Sequence, residues 1–392
     1  MSSDAQTHYV NTGFDLGLRP RAPQVGRPRL ERQVRELSVQ GLLGARVGDA
    51  ALVLTEVADE FLHHLDACGI PVPRVLLHPD VDPSTRFRPF GWSVEAIELN
   101  QLHRWPADHP PLSVIRRVNS RSFALELERE LFPESASGTV IDDIAALETL
   151  LSGASTTDEW IVKGEFGNAG LANRRIRSRK LSAADRRFVD GLLVENDRFV
   201  VEPWLPRERD WSVVFEIPLD PATLRVHATT YTRDGALIGA LLSSDGPQNT
   251  PRVEELCDMA ERVASRLGQE NYFGPVCVDA FSWRDGDSLR LRPFVDLNCR
   301  RSMSDGASRL RREIAPDRTF YYRFFNRRKL TLPDEIQPAL AALGDRRYDP
   351  SRRLGVLLAS PLGHTKLAVI FVAESRQQAL AFETEFRARH ES

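Results

Sequence analysis

Residues 276–301, VCVDAFSWRDGDSLRLRPFVDLNCRR, constrain the fold more than any other stretch of the chain. They read as two strands folded back on each other at Asp285-Gly286, a dipeptide that supplies the backbone freedom a tight hairpin needs. In the second strand Leu289, Leu291, Val295 and Leu297 share one face, while Arg290, Arg292, Phe294, Asp296 and Asn298 share the other. Folding the hairpin carries Asp279 toward Asp296 in a register the spacing leaves open. Two carboxylates forced together repel unless one holds a proton or a cation lies between them. With the amide oxygen of Asn298 they make an all-oxygen set that suits a hard cation such as magnesium. The same residues also describe a polar sheet face on which Arg292 and Arg300 neutralise the two aspartates, and spacing does not choose between these readings.

A chain of 392 residues is long enough for two or three domains, each with its own core. A net charge of −3 argues against a general nucleic-acid binder, which carries a clear basic excess. The basic residues are nonetheless uneven. Arg300, Arg301, Arg309, Arg311, Arg312, Arg318, Arg323, Arg327, Arg328 and Lys329 face only Asp305, Glu313 and Asp317 within residues 300–329. That stretch is either a landing surface for phosphate or an acidic substrate, or a solvated face. Cys68, Cys257, Cys277 and Cys299 contain no C-x-x-C pair, so neither a disulfide framework nor a structural zinc site is expected. No apolar run spans a bilayer, and MSSDAQTHYVNTG has neither a basic start nor an apolar core. The expectation is a soluble cytoplasmic protein with no membrane partner and no assigned oligomeric state.

Along the chain, residues 1–45 read as irregular. A strand at Ala50–Leu54, a helix capped by Thr55 and a strand at Arg74–Leu77 suggest a small α/β unit, followed by a packed loop over 79–92. A second block begins near Val114. Asn119 or Ser120 caps a helix through Leu131, Val140 begins a short strand, and Asp142 caps a helix through Leu151. Trp160–Lys163 is a strand, Gly164–Asn173 a loop, Arg174–Arg177 a strand, and Ser182…Asp185 a capping box that opens a helix. Phe199–Glu202 is a strand, and Trp211–Ile217, Arg225–Tyr231 and Leu237–Leu242 form a meander. Thr250-Pro251 opens an amphipathic helix ended by Gly268. The tail adds strands at Arg353–Ala359 and Lys366–Val372 and a helix started by Ser375…Gln378.

Two further segments carry chemistry. Gly164, Gly167, Asn168, Ala169 and Gly170 follow Lys163 directly. Small residues let backbone N–H groups approach phosphate oxygens, and a lysine alongside adds a point charge. The segment fits neither the Walker nor the Rossmann pattern, and it equally describes a plain turn. Glu202-Pro-Trp204-Leu205 ends a strand of β-branched residues, with Asp210 beyond it. Exposed backbone beside Trp204 and Leu205 can hold a flat base, and Asp210 can accept from a ribose hydroxyl; otherwise Trp204 is a core anchor and Asp210 a turn residue. There is no HExxH and no GxSxG, and Cys299 reads as a small packing residue.

In order, WIVKGEFGNAG, VVEPWL…RD and VDAF…FVDLNCR resemble the ATP-grasp superfamily over roughly residues 114–310, with RPFGWS and VNSRSF similar to segments of its carboxylate–amine-ligase-like members. The resemblance implies an α+β ATP-grasp fold, two α+β subdomains sandwiching ATP, with an N-terminal α/β pre-grasp domain and a C-terminal β/α extension. The implied divisions are 1–112, 113–200 with the glycine loop, 201–312 with the metal site, and 313–392. It implies Lys163 and Arg121 on the α- and β-phosphates, and the backbone of Gly167, Asn168, Ala169 and Gly170 over the γ-phosphate. Glu202, Trp204 and Leu205 would lie at adenine and Asp210 at ribose. Asp279, Asp296 and Asn298 would hold Mg2+, or Mn2+ in its place, and Arg300 would face the transferred phosphoryl group. Asp296 stands where glutamate is usual, Arg121 where many members have lysine, and Cys277 where some have arginine. The implied activity joins a small-molecule carboxylate to an amine through an acyl phosphate; a kinase or a non-catalytic ATP-binding regulator are the alternatives.

Overall fold

The computed structural model describes residues 5–20, 27–77, 85–153, 158–167, 172–220, 224–233, 236–243 and 252–392. Its strands form three sheets. The first is parallel, in the order β3-β2-β1-β4, from β1 (Gln6–Tyr9), β2 (Ala50–Leu52), β3 (Arg74–Leu76) and β4 (Arg86–Pro89). Residues 5–20 are therefore not irregular, as expected from sequence, but supply an inner strand. The strand has no alternation to read because two of its buried residues are polar and hydrogen-bonded: Thr7 to Thr85 at 2.6 Å and His8 to Asp49 at 2.9 Å. Thr55 does not cap the following helix, which runs Asp59–Ala67 from Ala58. The expected loop over 79–92 contains β4, although 78–84 lie outside the described residues.

The second sheet is antiparallel, in the order β5-β8-β6-β7, from β5 (Thr139–Ile141), β6 (Trp160–Gly164), β7 (Asn173–Ile176) and β8 (Phe199–Pro203). Trp160, Val162, Phe199 and Val201 pack against the helices Ile144–Ser152 and Ala183–Asn196. Alternation leaves Ile161, Lys163, Val200 and Glu202 on the opposite face. The capping box appears at Ser182 and Asp185, while Asp143, not Asp142, caps the preceding helix.

The third sheet has eight strands, β13-β12-β9-β10-β11-β14-β16-β15. They are β9 (Arg207–Ile217), β10 (Arg225–Arg233), β11 (Ala236–Leu242), β12 (Gly274–Asp285), β13 (Ser288–Asn298), β14 (Thr319–Asn326), β15 (Gly355–Leu358) and β16 (Lys366–Ala373). The expected opening of a helix at Thr250-Pro251 lies outside the described residues; that helix runs Val253–Gln269 and packs on β9, β12 and β13. The basic stretch 300–329 is not one solvated face. It contains the helix Asp305–Ile314 and an inner strand, β14, whose Phe320, Tyr321, Tyr322 and Phe325 are buried. One core joins β11, β14 and β16 to Leu42, Ala51, Phe61 and Leu65, so the first and last parts of the chain pack on each other. Among the described residues no helix is long and apolar enough to cross a membrane.

Candidate active site

β12 and β13 form the expected hairpin, with Gly286 at φ +59° in its turn. Its register sets Asp279 directly opposite Asp296 and Cys277 opposite Asn298. β9 lies on the other side of β12 and places Ser212 opposite Asp279. Between Asp279/Asp296 and Phe281/Arg292, β13 carries two extra residues, a bulge around Pro293, which has no N–H for the ladder. The bulge overturns one expectation. Phe294 does not share the polar face of Arg292 and Asp296 but is buried in the core with Leu297, stacked on Phe132 at 6.0 Å.

The two sheets meet at Asp296. Lys163, buried on β6, lies 3.1 Å from Asp296 Oδ1 and 2.9 Å from Glu202 Oε1. Arg121, at the start of the helix Arg121–Leu131, reaches Asp296 Oδ1 at 3.5 Å and donates to Asn173 Oδ1 at 3.4 Å. A Cβ on Gly167 would come within 2.8 Å of the Arg121 guanidinium, so the start of the glycine loop passes close to that cation. Asn168, Ala169 and Gly170 lie outside the described residues. Glu202 is turned inward, with Arg292 Nη1 donating to it at 2.8 Å, while Arg292 grips both oxygens of Glu128 at 2.7 and 2.8 Å. Trp204 is stacked under Arg175 at 4.2 Å, and Leu205 follows it in the connection to β9. Asp210 pairs with Arg207 at 3.2 Å, and Arg207 in turn lies over Phe281 at 4.3 Å.

Arg300 leaves the end of β13 and is held on three sides. Its Nη2 donates to Asn298 Oδ1 at 3.0 Å, its Nε pairs with Asp15 at 3.2 Å, and its guanidinium lies 4.8 Å over the Phe90 ring. Asn298 Nδ2 points back to Asp279 Oδ2 at 3.5 Å, and Ser212 donates to Asp279 Oδ1 at 2.7 Å. Burial, and then the Asp296 carboxylate across the ladder, push the Asp279 carboxyl up to about 6. Burial also works against ionisation of Asp296, yet Arg121 and Lys163 hold it well below the usual carboxylate range. Glu202 behaves likewise: burial is outweighed by Arg292 and Lys163, which keep it down to about 2.

Asp279, Asp296 and Asn298 thus gather on one face, in ladder rows two apart, beside Arg300, Lys163 and Arg121. No group of three or more His, Cys, Asp or Glu able to hold a metal occurs among the described residues, so a cation here would rest on two carboxylates and one amide. The repulsion from Asp296 that helps raise Asp279 fits a divalent cation, which would bring the Asp279 carboxyl back down. Sequence reasoning missed Asp15 and Arg19, both in the short N-terminal segment. Arg19 donates from Nε and Nη2 to the Phe166 carbonyl at 3.2 and 3.0 Å and also pairs with Glu195. It also missed the buried Glu128–Arg292–Glu202 chain. Nothing in VNTGFDLGLR signals a role, because its partners lie far away in sequence.

A four-stranded antiparallel sheet that meets a larger antiparallel sheet at Asp296, with a separate parallel N-terminal sheet, is the ATP-grasp fold, which this chain shares with the solved structures it matches. Neither protein-family models nor curated proteins match the sequence. Solved structures match its fold. N5-carboxyaminoimidazole synthetase from Staphylococcus aureus, complexed with ADP, is 10% identical and covers 99% of this chain and 100% of its own, with a TM-score of 0.52. N5-carboxyaminoimidazole synthase from Aspergillus clavatus, with ADP and 5-aminoimidazole ribonucleotide, is 13% identical over 99% of each chain at a TM-score of 0.52. The biotin carboxylase domain of 2-oxoglutarate carboxylase from Hydrogenobacter thermophilus, with MgADP and bicarbonate, is 10% identical, covers 100% of this chain and 91% of its own, and scores 0.54.

Proposed function

We propose that this protein is an ATP-dependent carboxylate–amine ligase, and that the convergence of Lys163, Arg121 and Arg300 on the Asp279–Asp296–Asn298 row is its catalytic centre. The observation that carries the reading is Asp296, a half-buried carboxylate approached at 3.1 and 3.5 Å by cations from outside its own sheet. Such a cluster places cations where they can offset the negative charge of a polyphosphate. Neighbours of the same fold that bind ADP, MgADP, bicarbonate or 5-aminoimidazole ribonucleotide support it.

In this reading a substrate carboxylate oxygen attacks the γ-phosphorus of ATP and ADP leaves. The amine then attacks the acyl carbon, inorganic phosphate departs, and an amide remains. Lys163 and Arg121 hold the α- and β-phosphates, and Gly167 with Asn168, Ala169 and Gly170 covers the γ-phosphate. The backbone from Glu202 through Trp204 to Leu205 receives adenine, and Asp210 the ribose. Asp279, Asp296 and Asn298 would hold magnesium, whose chemistry is to offset charge on the phosphate oxygens. Arg300 faces the moving phosphoryl group and is kept in place by Asp15 and Asn298.

The test is the dependence of ADP release on both substrates. Screened with amino acids and small carboxylates, a ligase forms ADP steadily only when carboxylate and amine are both present, and hydroxylamine traps its intermediate as a hydroxamate. Rapid amine-independent turnover to a stable phosphoester would identify a kinase, and nucleotide binding with no turnover on any pair a regulator.

A further inference from the structure

Beside the phosphate-handling cluster lies a second recess, between the ends of β1 and β4 and the segment that follows Arg300. Its cavity volume is about 30 Å³, and Asp305 is the single acid among its lining residues. Three arginines from three different elements face that one carboxylate. Asp305 Oδ2 lies 3.8 Å from Arg88, 3.9 Å from Arg301 and 3.4 Å from Arg309, and none of these contacts is a well-formed hydrogen bond. The remaining partners are few. Arg88 donates to the Gln6 amide at 3.0 Å, Arg301 to the half-exposed Glu216 at 3.2 Å, and Arg309 lies 3.5 Å from His8 Nδ1. His8 bonds Asp49 through its other nitrogen; burial pushes it down to about 4, so it adds no charge at neutral pH.

The Nε of Arg88, of Arg301 and of Arg309 is buried with no hydrogen-bond acceptor. Buried polar groups are ordinarily satisfied, and three unsatisfied guanidinium donors around one recess call for a ligand that supplies oxygens. A guanidinium is a planar fork matched to carboxylate and phosphate. The recess also abuts the catalytic cluster, because Phe90 lines it while carrying Arg300 over its ring at 4.8 Å. The Phe90 carbonyl accepts from the Arg301 N–H at 2.9 Å, fixing that junction. Phe90, Val10 and Met303 give an apolar wall for a short stem.

We propose that the Arg88–Arg301–Arg309 recess binds a non-reacting oxyanion of the acceptor substrate, a carboxylate or a phosphate monoester at the end remote from the new bond. This rests on the ligase reading in calling the ligand an acceptor; the anion site itself stands on the arginines alone. The acceptor is thus a small molecule with two functional ends, one anchored here and one presented past Phe90 toward Arg300.

Inorganic phosphate and malonate serve as probes, titrated calorimetrically into the full chain saturated with ADP and magnesium. One of them should bind, with phosphate preferred for a phosphorylated acceptor and malonate for a carboxylate one. Arg88→Gln or Arg309→Gln should weaken that anion by about tenfold or more, the loss of one charge-assisted hydrogen bond. ADP affinity, measured separately, should change by less than about twofold, since the two sites share no ligand contact. Arg301→Gln, whose guanidinium keeps a surface partner, serves if the more buried variants do not fold. No binding of either anion, or equal binding by wild type and variants, would overturn the site. Anion binding by a chain that fails to bind ADP would overturn the acceptor assignment together with the ligase reading.

Discussion

Lys163 shows how one residue carries two obligations. It lies buried between Glu202 and Asp296, so its charge is needed by the fold before any nucleotide arrives. Replacing it with alanine leaves two carboxylates facing each other in a poorly solvated place. Lys163→Ala should therefore destabilise the protein by about 3 kcal/mol, the low end of the cost of breaking a buried ion pair, because Glu202 keeps Arg292 and Asp296 keeps Arg121. It should also lower ATP affinity, by about 1.5–3 kcal/mol for a lost charge-assisted contact. Urea unfolding and nucleotide titration separate the two; an unchanged unfolding midpoint would mean that Lys163 is not structurally paired. His227 carries an obligation of another kind. Burial first, then Arg225, Arg311 and Arg312, outweigh Asp305 and push it from 6.5 down to about 4. Below pH 6.5 the unfolded chain takes up a proton that the folded chain refuses. Stability from this group is therefore intact above 6.5, falls as pH drops toward about 4, and levels off below. Melting temperatures across that window should fall less steeply in His227→Gln than in wild type.

At the scale of elements, β11 and β14 form the seam between the meander and the C-terminal strands. Their pairing runs from Gly239 opposite Arg323 to Leu242 opposite Phe320. A Cβ on Gly239 would lie 2.7 Å from the Tyr322 carbonyl oxygen, a backbone atom that cannot swing aside. Gly239→Ala should cost about 1–3 kcal/mol as overpacking, read as a lowered urea midpoint, and a neutral result would mean the seam is loose. The elements legible in the sequence were those with local signals. The β12–β13 hairpin followed from alternation and Asp285-Gly286, and the helix at Ala183 from its capping box. β1 was illegible because Thr7 and His8 are buried by hydrogen bonds to Thr85 and Asp49, distant partners that leave no periodic trace. β14 was hidden because Arg311, Arg318 and Arg323 read as solvated charge. In the fold Arg311 and Arg318 bond backbone carbonyls and Arg323 pairs with Glu383.

Across the whole molecule the site is assembled by long-range ties, which sequence cannot display. Lys163 and Asp296 were each readable as strand-end residues, yet their contact joins two sheets. Asp15 and Arg300 lie 285 positions apart, and Asp15 comes from a segment with no recognisable pattern. That segment also sends Arg19 to the Phe166 carbonyl and to Glu195, so one N-terminal turn braces the four-stranded antiparallel sheet and Arg300 together. Asp15 is buried, and burial raises its carboxyl despite Arg300 and Arg121 nearby, so ionising it works against the fold. Asp15→Asn keeps the shape and removes the charge that aims Arg300. If Arg300 acts on the transferred phosphoryl group, kcat should fall on the order of tenfold, because the lost contact is charge-assisted. KM for ATP should stay nearly constant, because in the proposed reading Lys163 and Arg121, not Arg300, hold the phosphates before transfer. The melting temperature should barely move. A parallel fall in melting temperature and kcat would reduce Asp15 to a structural residue. An unchanged kcat would remove Arg300 from the chemistry and leave the brace as architecture alone.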